Sequence, residues 1–203
     1  MARAPKAPRV WQRMLSGRRL DLIDPSPVDV EIEDIAHGLA RVARWNGQTK
    51  GPHAYSVAQH SVFVEAVAGA LAPDLSPQAR AMVLLHDAPE YVVGDMISPF
   101  KAVLGGDYKG VENRLLAAIH LRFGLPPAAP KPVLLITKQA DRIAAWHEAT
   151  ALAGFAREEA DQFFGPPPRL ALDLKPFLQP QAAMPAQADF LARFHAIDAM
   201  IKR

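Results

Sequence analysis

Ser76-Pro77-Gln78-Ala79-Arg80-Ala81-Met82-Val83-Leu84-Leu85-His86-Asp87-Ala88-Pro89-Glu90 is the stretch that decides how this chain folds. Ser76 can cap the free amides of a first helical turn, and Pro77 suits the first helical position, so the pair predicts a helix start. The apolar body Ala81 to Leu85 then runs directly into His86 and Asp87. A polar pair emerging from a buried helix is thus expected at the edge of a core.

Upstream, Ile32, Ile35, Leu39 and Val42 recur at spacings of three and four and predict a helix from about Glu31 to Trp45. Val57, Val64, Ala68 and Leu71 predict another from about Ser56 to Leu71, stopped by Pro73. Downstream, Asp107 is a candidate cap for a helix carrying Val111, Leu115, Ile119 and Phe123, closed by Gly124 and the prolines between 126 and 132. A long helix is expected from about Pro132 to Glu159, with Asp141 near its middle and Ile136, Ile143, Trp146, Ala149 and Phe155 inward. Pro166, Pro167 and Pro168 mark a connection, and Phe190, Phe194, Ile197 and Ile201 predict a short terminal helix. No internal repeat, heptad or convincing alternating strand is legible. The expected fold is an all-α single-domain bundle: an arm and loop over 1–28, the main helical domain over 29–165, and a loop and helix over 166–203 packed on it.

Composition narrows the function. The chain has 203 residues, half of them apolar and 22% charged, the balance of a globular domain with one core. Its formal charge is +2, and no run of Lys or Arg builds a nucleic-acid track. No apolar stretch approaches the roughly 20 residues of a membrane span. Residues 1–9 are basic but carry Pro5 and Pro8 and lack an apolar segment, so a loose arm on a cytoplasmic protein is expected rather than a secretory signal. There is no cysteine, so a tight metal site must be built from His, Asp and Glu.

His86 and Glu90 are four apart and Asp87 and Glu90 three apart, so on a helix the three would share about one half of the surface. Imidazole and carboxylate suit a borderline divalent ion with positions left for water and substrate oxygen. A His-Asp pair at a helix end also occurs as a plain cap or surface pair. The surroundings favour metal: Leu84-Leu85 puts the pair at the core's edge, and Asp87, Glu90 and Asp95 crowd three carboxylates into nine residues, repulsive unless a cation or proton compensates.

Here the sequence resembles the HD-domain metal-dependent phosphohydrolases, whose pattern is a His, a His-Asp pair and a distant Asp on different helices. It is filled by His60, by His86-Asp87 and by Asp141. Within that family the chain looks most like the bacterial 5'-deoxynucleotidases. That group also carries an Arg-Trp pair, a Leu-His-Asp-Ala-x-Glu run, a Gly-Asp and a Pro-x-Lys, matched by Arg44-Trp45, Leu85 to Glu90, Gly94-Asp95 and Pro99-Phe100-Lys101 in the same order. The similarity runs from about Ala43 to Leu152. Pro89 inside the run fits a helix that turns there.

The resemblance implies one divalent metal ion (Co, Mn, Zn, Fe, Ni or Mg) on His60, His86, Asp87 and Asp141. It implies that Glu90 handles the attacking water, that Arg44 and Lys101 pair with phosphate, that Trp45 packs near sugar or base, and that Asp95 contacts the sugar or assists proton transfer. Each has a plainer alternative: Trp45 as a core residue, Arg44 and Lys101 as solvated charges. His60 and Asp141 carry no local signal and rest on the resemblance. The implied activity is phosphate removal from (deoxy)nucleoside 5'-monophosphates. Its rivals are a triphosphohydrolase releasing tripolyphosphate and a non-catalytic nucleotide sensor. The expected partner is a small nucleotide, with no nucleic acid or membrane, and the alanine-faced helices are compatible with a homodimer. His53 is a weak candidate for substrate contact. His37, His120, His147 and His195 read as structural, and Arg18-Arg19 reads as a solvated loop.

Overall fold

The computed structural model describes residues 9–96 and 106–203, with the side chains of 106 and 107 excepted. Among the described residues it is an all-α bundle with one small hairpin. Strands β1 (Trp11–Arg13) and β2 (Arg19–Asp21) pair antiparallel, and eight helices follow: α1 (Ile32–Leu39), α2 (Val57–Leu71), α3 (Pro77–Leu84), α4 (Glu90–Val93), α5 (Gly106–Arg122), α6 (Lys131–Ala151), α7 (Arg157–Phe164) and α8 (Ala183–Ile201). No helix among them is long and apolar enough to cross a membrane.

α2 is the axis of the bundle. Residues 57–61 are all buried, and Phe63, Val64, Glu65, Val67 and Ala68 follow them inside. A helix apolar nearly all round must be enclosed, and α6, α3 and α8 enclose it. Ser76 caps α3 by accepting from the Ala79 amide, as the sequence predicts, and Ser56, expected only as the start of its helix, caps α2 by accepting from the Gln59 amide; each cap contributes about 1 kcal/mol. α1 rests on α4 and α8. It can approach α4 because position 38 is glycine: a Cβ there would lie 2.7 Å from the Tyr91 Cβ.

Several boundaries differ from expectation. α1 ends at Leu39 and not near Trp45, because the chain turns to form a bridge between Ala43 and Ser56, with the Arg44 amide donating to the Tyr55 carbonyl at 2.8 Å. That pairing outweighs the local periodicity. The expected helix over 132–159 is two helices. α6 stops at Ala151, Gly154 takes φ +81°, and the Phe155 amide returns to the Ala149 carbonyl, a left-handed glycine closure. Asp107, the candidate cap, lies within the first turn of α5, and its side chain is outside the described residues. α8 is longer than expected, 19 residues, with Pro185 tolerated in its first turn.

The hairpin was not anticipated. Three-residue strands are too short to alternate visibly, and this pair is held by side chains: the guanidiniums of Arg9, Arg13 and Arg19 lie 4.5–5.4 Å from the Trp11 ring centre. Arg18 bonds Glu31 at 2.7 Å, so Arg18 and Arg19 are structural. Besides the main core there is a small aromatic cluster of Trp146, Ala149 and Ala160, against which Trp45, Phe155 and Phe164 pack.

Candidate metal centre

Three segments far apart in sequence meet beside the first turns of α2. His60 lies on α2 and is fully buried, His86 and Asp87 occupy the turn after α3, and Asp141 projects from α6. His60, His86 and Asp141 present ligand atoms all within 4.8 Å of one another, a group that could hold a metal ion. The two imidazole rings are 5.4 Å apart, tilted by 50°. The His60 Nε2 lies 3.2 Å from Asp141 Oδ1 and 3.5 Å from Asp87 Oδ2, and the His86 Nε2 lies 3.2 Å from Asp87 Oδ2. Neither Nε2 is aligned to hydrogen-bond, though both are buried.

The far side of each ring explains which nitrogen is free. His86 Nδ1 donates to the Val83 carbonyl at 2.9 Å, an acceptor only, which leaves the lone pair on Nε2. His60 Nδ1 donates to Glu148 Oε1 at 2.6 Å, with the same result. Two imidazole lone pairs and the Asp141 carboxylate therefore face one another, and Asp87, outside that group of three, keeps Oδ2 3.5 Å and 3.2 Å from the two Nε2 atoms. That donor set fits a divalent ion.

Charge points the same way. Among the described residues, Asp87, Asp95, Asp141 and Glu148 share this neighbourhood with one guanidinium, that of Arg44. Burying a surplus of carboxylates is costly unless something positive joins them. The surplus acts on His60. Burial and Arg44 act to strip the imidazole of its second proton, yet Glu148, Asp141 and Asp87 outweigh them and hold its pKa well above the ordinary value. Burial pushes the Asp87 carboxyl up, but His86 and His60 hold it well below its usual range. Asp141 is lowered against its own burial by His60.

Arg44 and Trp45 sit just beyond the Ala43–Ser56 bridge, which fixes them next to the start of α2. Arg44 Nη1 lies 3.3 Å from Asp95 Oδ2 and Nη2 3.6 Å from Glu148 Oε2, so Arg44 is no solvated surface charge. Its Nε is buried with no hydrogen bond among the described residues. Trp45 holds φ +57° and Asn46 φ +50°, left-handed values that cost a bulky residue about 1–2 kcal/mol. The indole Nε1 donates to Glu148 Oε2 at 3.0 Å, and the ring packs on Phe155 and Phe164.

Glu90 is buried at 2% exposure and opens α4, with Pro89 at its start as the sequence suggests. Asp95 meets Arg44. Lys101, with Pro99 and Phe100, lies outside the described residues. His53 is on an exposed loop and joins no part of the cluster. His120 is buried with Nδ1 donating to the Pro126 carbonyl, and His147 packs on Phe63 and Trp146, as structural histidines do. Glu148 was not foreseen. Its one sequence signal is a spacing of seven from Asp141, two helical turns on the same face, inside an otherwise apolar stretch.

No family model matches the chain. It is similar to Uncharacterized protein RCAP_rcc00048 of Rhodobacter capsulatus, 54% identical over 190 residues that span 93% of this chain and 96% of that protein. It is also similar to Uncharacterized protein YfdR of Escherichia coli K12, 40% identical over 106 residues that span 52% of this chain and 53% of that one.

Proposed function

We propose, from the premise that the chain belongs to the same family as the Rhodobacter capsulatus protein, that it is an HD-type divalent-metal-dependent phosphohydrolase removing phosphate from (deoxy)nucleoside 5'-monophosphates. The observation that carries this reading is the convergence of the His60 and His86 Nε2 atoms with Asp141 and Asp87, beside a buried guanidinium. His60, His86, Asp87 and Asp141 would hold the ion, and an ion so held lowers the pKa of a coordinated water and offsets phosphoryl charge.

The chain's own groups do the rest. Arg44 keeps a buried Nε donor beyond its contacts with Asp95 and Glu148, which suits a phosphoryl oxygen presented from the metal side. Asp95 and Glu148 hold the guanidinium in place for that contact. Glu90, three residues after Asp87 and sheltered from bulk water, takes the proton of the attacking water. Trp45 closes the inner wall by packing on Phe155 and Phe164.

The test is phosphate release from a panel of nucleotides with protein loaded with Mn, Co or Zn, with every product identified. Inorganic phosphate from the monophosphates is expected, and Glu90→Gln should abolish it while leaving metal content intact. Tripolyphosphate from deoxynucleoside triphosphates in its place would reassign the substrate. His86→Ala should reduce bound metal to background; unchanged metal content would overturn the ligand assignment.

A further inference from the structure

We propose that Glu148 is a positioning residue that sets the tautomer of His60 for the metal and ties that ligand to the Arg44–Trp45 turn; the inference rests on the metal centre described above. Glu148 is fully buried on α6, a place where a carboxylate has no reason to be unless its partners require it. It has three partners from two segments, α2 and the Arg44–Trp45 turn. Oε1 takes the His60 Nδ1 proton at 2.6 Å, Oε2 takes the Trp45 indole proton at 3.0 Å, and the Arg44 guanidinium stands 3.6 Å from Oε2.

Each contact has a separate consequence. A carboxylate on Nδ1 keeps the proton there, so Nε2 stays a lone-pair donor, and it raises the basicity of that lone pair. His86 obtains its orientation from a backbone carbonyl that no side-chain substitution can remove. Among the described residues, the hydrogen bond that reaches His60 Nδ1 is the one to Glu148. The same carboxylate anchors the indole of a residue in the left-handed region and thereby holds Arg44, its chain neighbour, against Asp95. Metal ligand and phosphate-facing arginine are thus registered to one another through a single side chain. Asp141, seven residues before Glu148 on the same helix, stands 3.2 Å from the other ring nitrogen of His60.

Glu148→Ala and Glu148→Gln separate this role from a structural one. Affinities for Zn and Co should be measured by equilibrium dialysis on folded full-length protein, together with the visible spectrum of the Co-loaded form. Glu148→Ala is expected to weaken Zn binding by about 10- to 100-fold and to change the Co spectrum. Glu148→Gln is expected to recover part of the loss, because an amide oxygen still accepts from Nδ1 but carries no charge. At saturating metal, Glu148→Ala should raise KM for the nucleotide through the loosened Arg44. Wild-type metal affinity and spectrum in both variants would overturn the role of Glu148 while leaving the metal centre standing. Absence of metal binding by the wild-type protein would instead overturn the centre itself. If Glu148→Ala does not fold, Glu148→Gln alone decides, with unaltered affinity and spectrum counting against the proposal.

Discussion

Helix α2 meets two buried glutamates, and they behave differently. Glu65, on α2 itself, is fully enclosed and accepts from the Nε of Arg80 on α3 and of Arg193 on α8. Two guanidiniums answer one carboxylate, so its charge is more than compensated and the cluster pins three helices together. Glu148 reaches α2 from α6 and answers one guanidinium and one imidazole, in a region where Asp87, Asp95 and Asp141 add further negative charge. Burial pushes the Glu148 carboxyl up, yet His60, Arg44 and Trp45 hold it below its usual range. The first glutamate is compensated within its own cluster, whereas among the described residues carboxylates outnumber cations around the second, which suits a group that could hold a metal ion.

The sharpest way to break that comparison is at Glu65. Glu65→Ala leaves Arg80 and Arg193 without their shared acceptor. Their side chains are 26% and 32% exposed and can re-solvate in part, so the expected cost is about 2–3 kcal/mol, below that of a fully enclosed pair. Urea unfolding of the metal-free protein measures it. Metal affinity of the folded variant should match wild type, and a parallel loss of metal binding would erase the distinction between the two glutamates.

A smaller and pH-bound effect is expected at His120, which is buried by a third strategy, neutrality. Burial lowers its pKa from 6.5, opposed by its bond to the Pro126 carbonyl. The charged form is therefore disfavoured in the fold. Its contribution to stability is fully present above pH 6.5 and is lost as pH falls from there through the lowered value. Comparing wild type with His120→Gln by urea titration from pH 7.5 to 5 should show the wild type losing more stability on acidification; equal slopes would contradict it.

The smallest effect belongs to the exposed counterpart of these clusters, Arg18 with Glu31 at 2.7 Å. Arg122 also holds that carboxylate, at 2.9 Å, so Arg18→Ala should cost less than about 1 kcal/mol and the cost should shrink in high salt. Thermal melting at low and high ionic strength tests this.

Where the sequence was legible, the signals were local. The cap at Ser76, the helix start at Ser56, the stop at Pro73, the turn at Pro89 and the inward stripe of Phe190, Phe194 and Ile197 all depend on neighbours within a turn or two. Where it was not, a distant contact won. Trp45 leaves the helical path because Ala43 pairs with Ser56 and because its indole reaches Glu148 from another helix. The periodicity after Asp141 runs on past Gly154, while the chain turns back to wrap Phe155 and Phe164 around Trp45.

By itself, the sequence determined that this protein is helical and that His86 and Asp87 stand together at the edge of a core, because both follow from spacing along a short piece of chain. Only the tertiary structure decided that His60 and Asp141 complete the group and that Glu148 stands behind it. Their side chains are brought together by how α2 and α6 cross, and that crossing is set by packing around an almost wholly apolar helix, which no local pattern encodes.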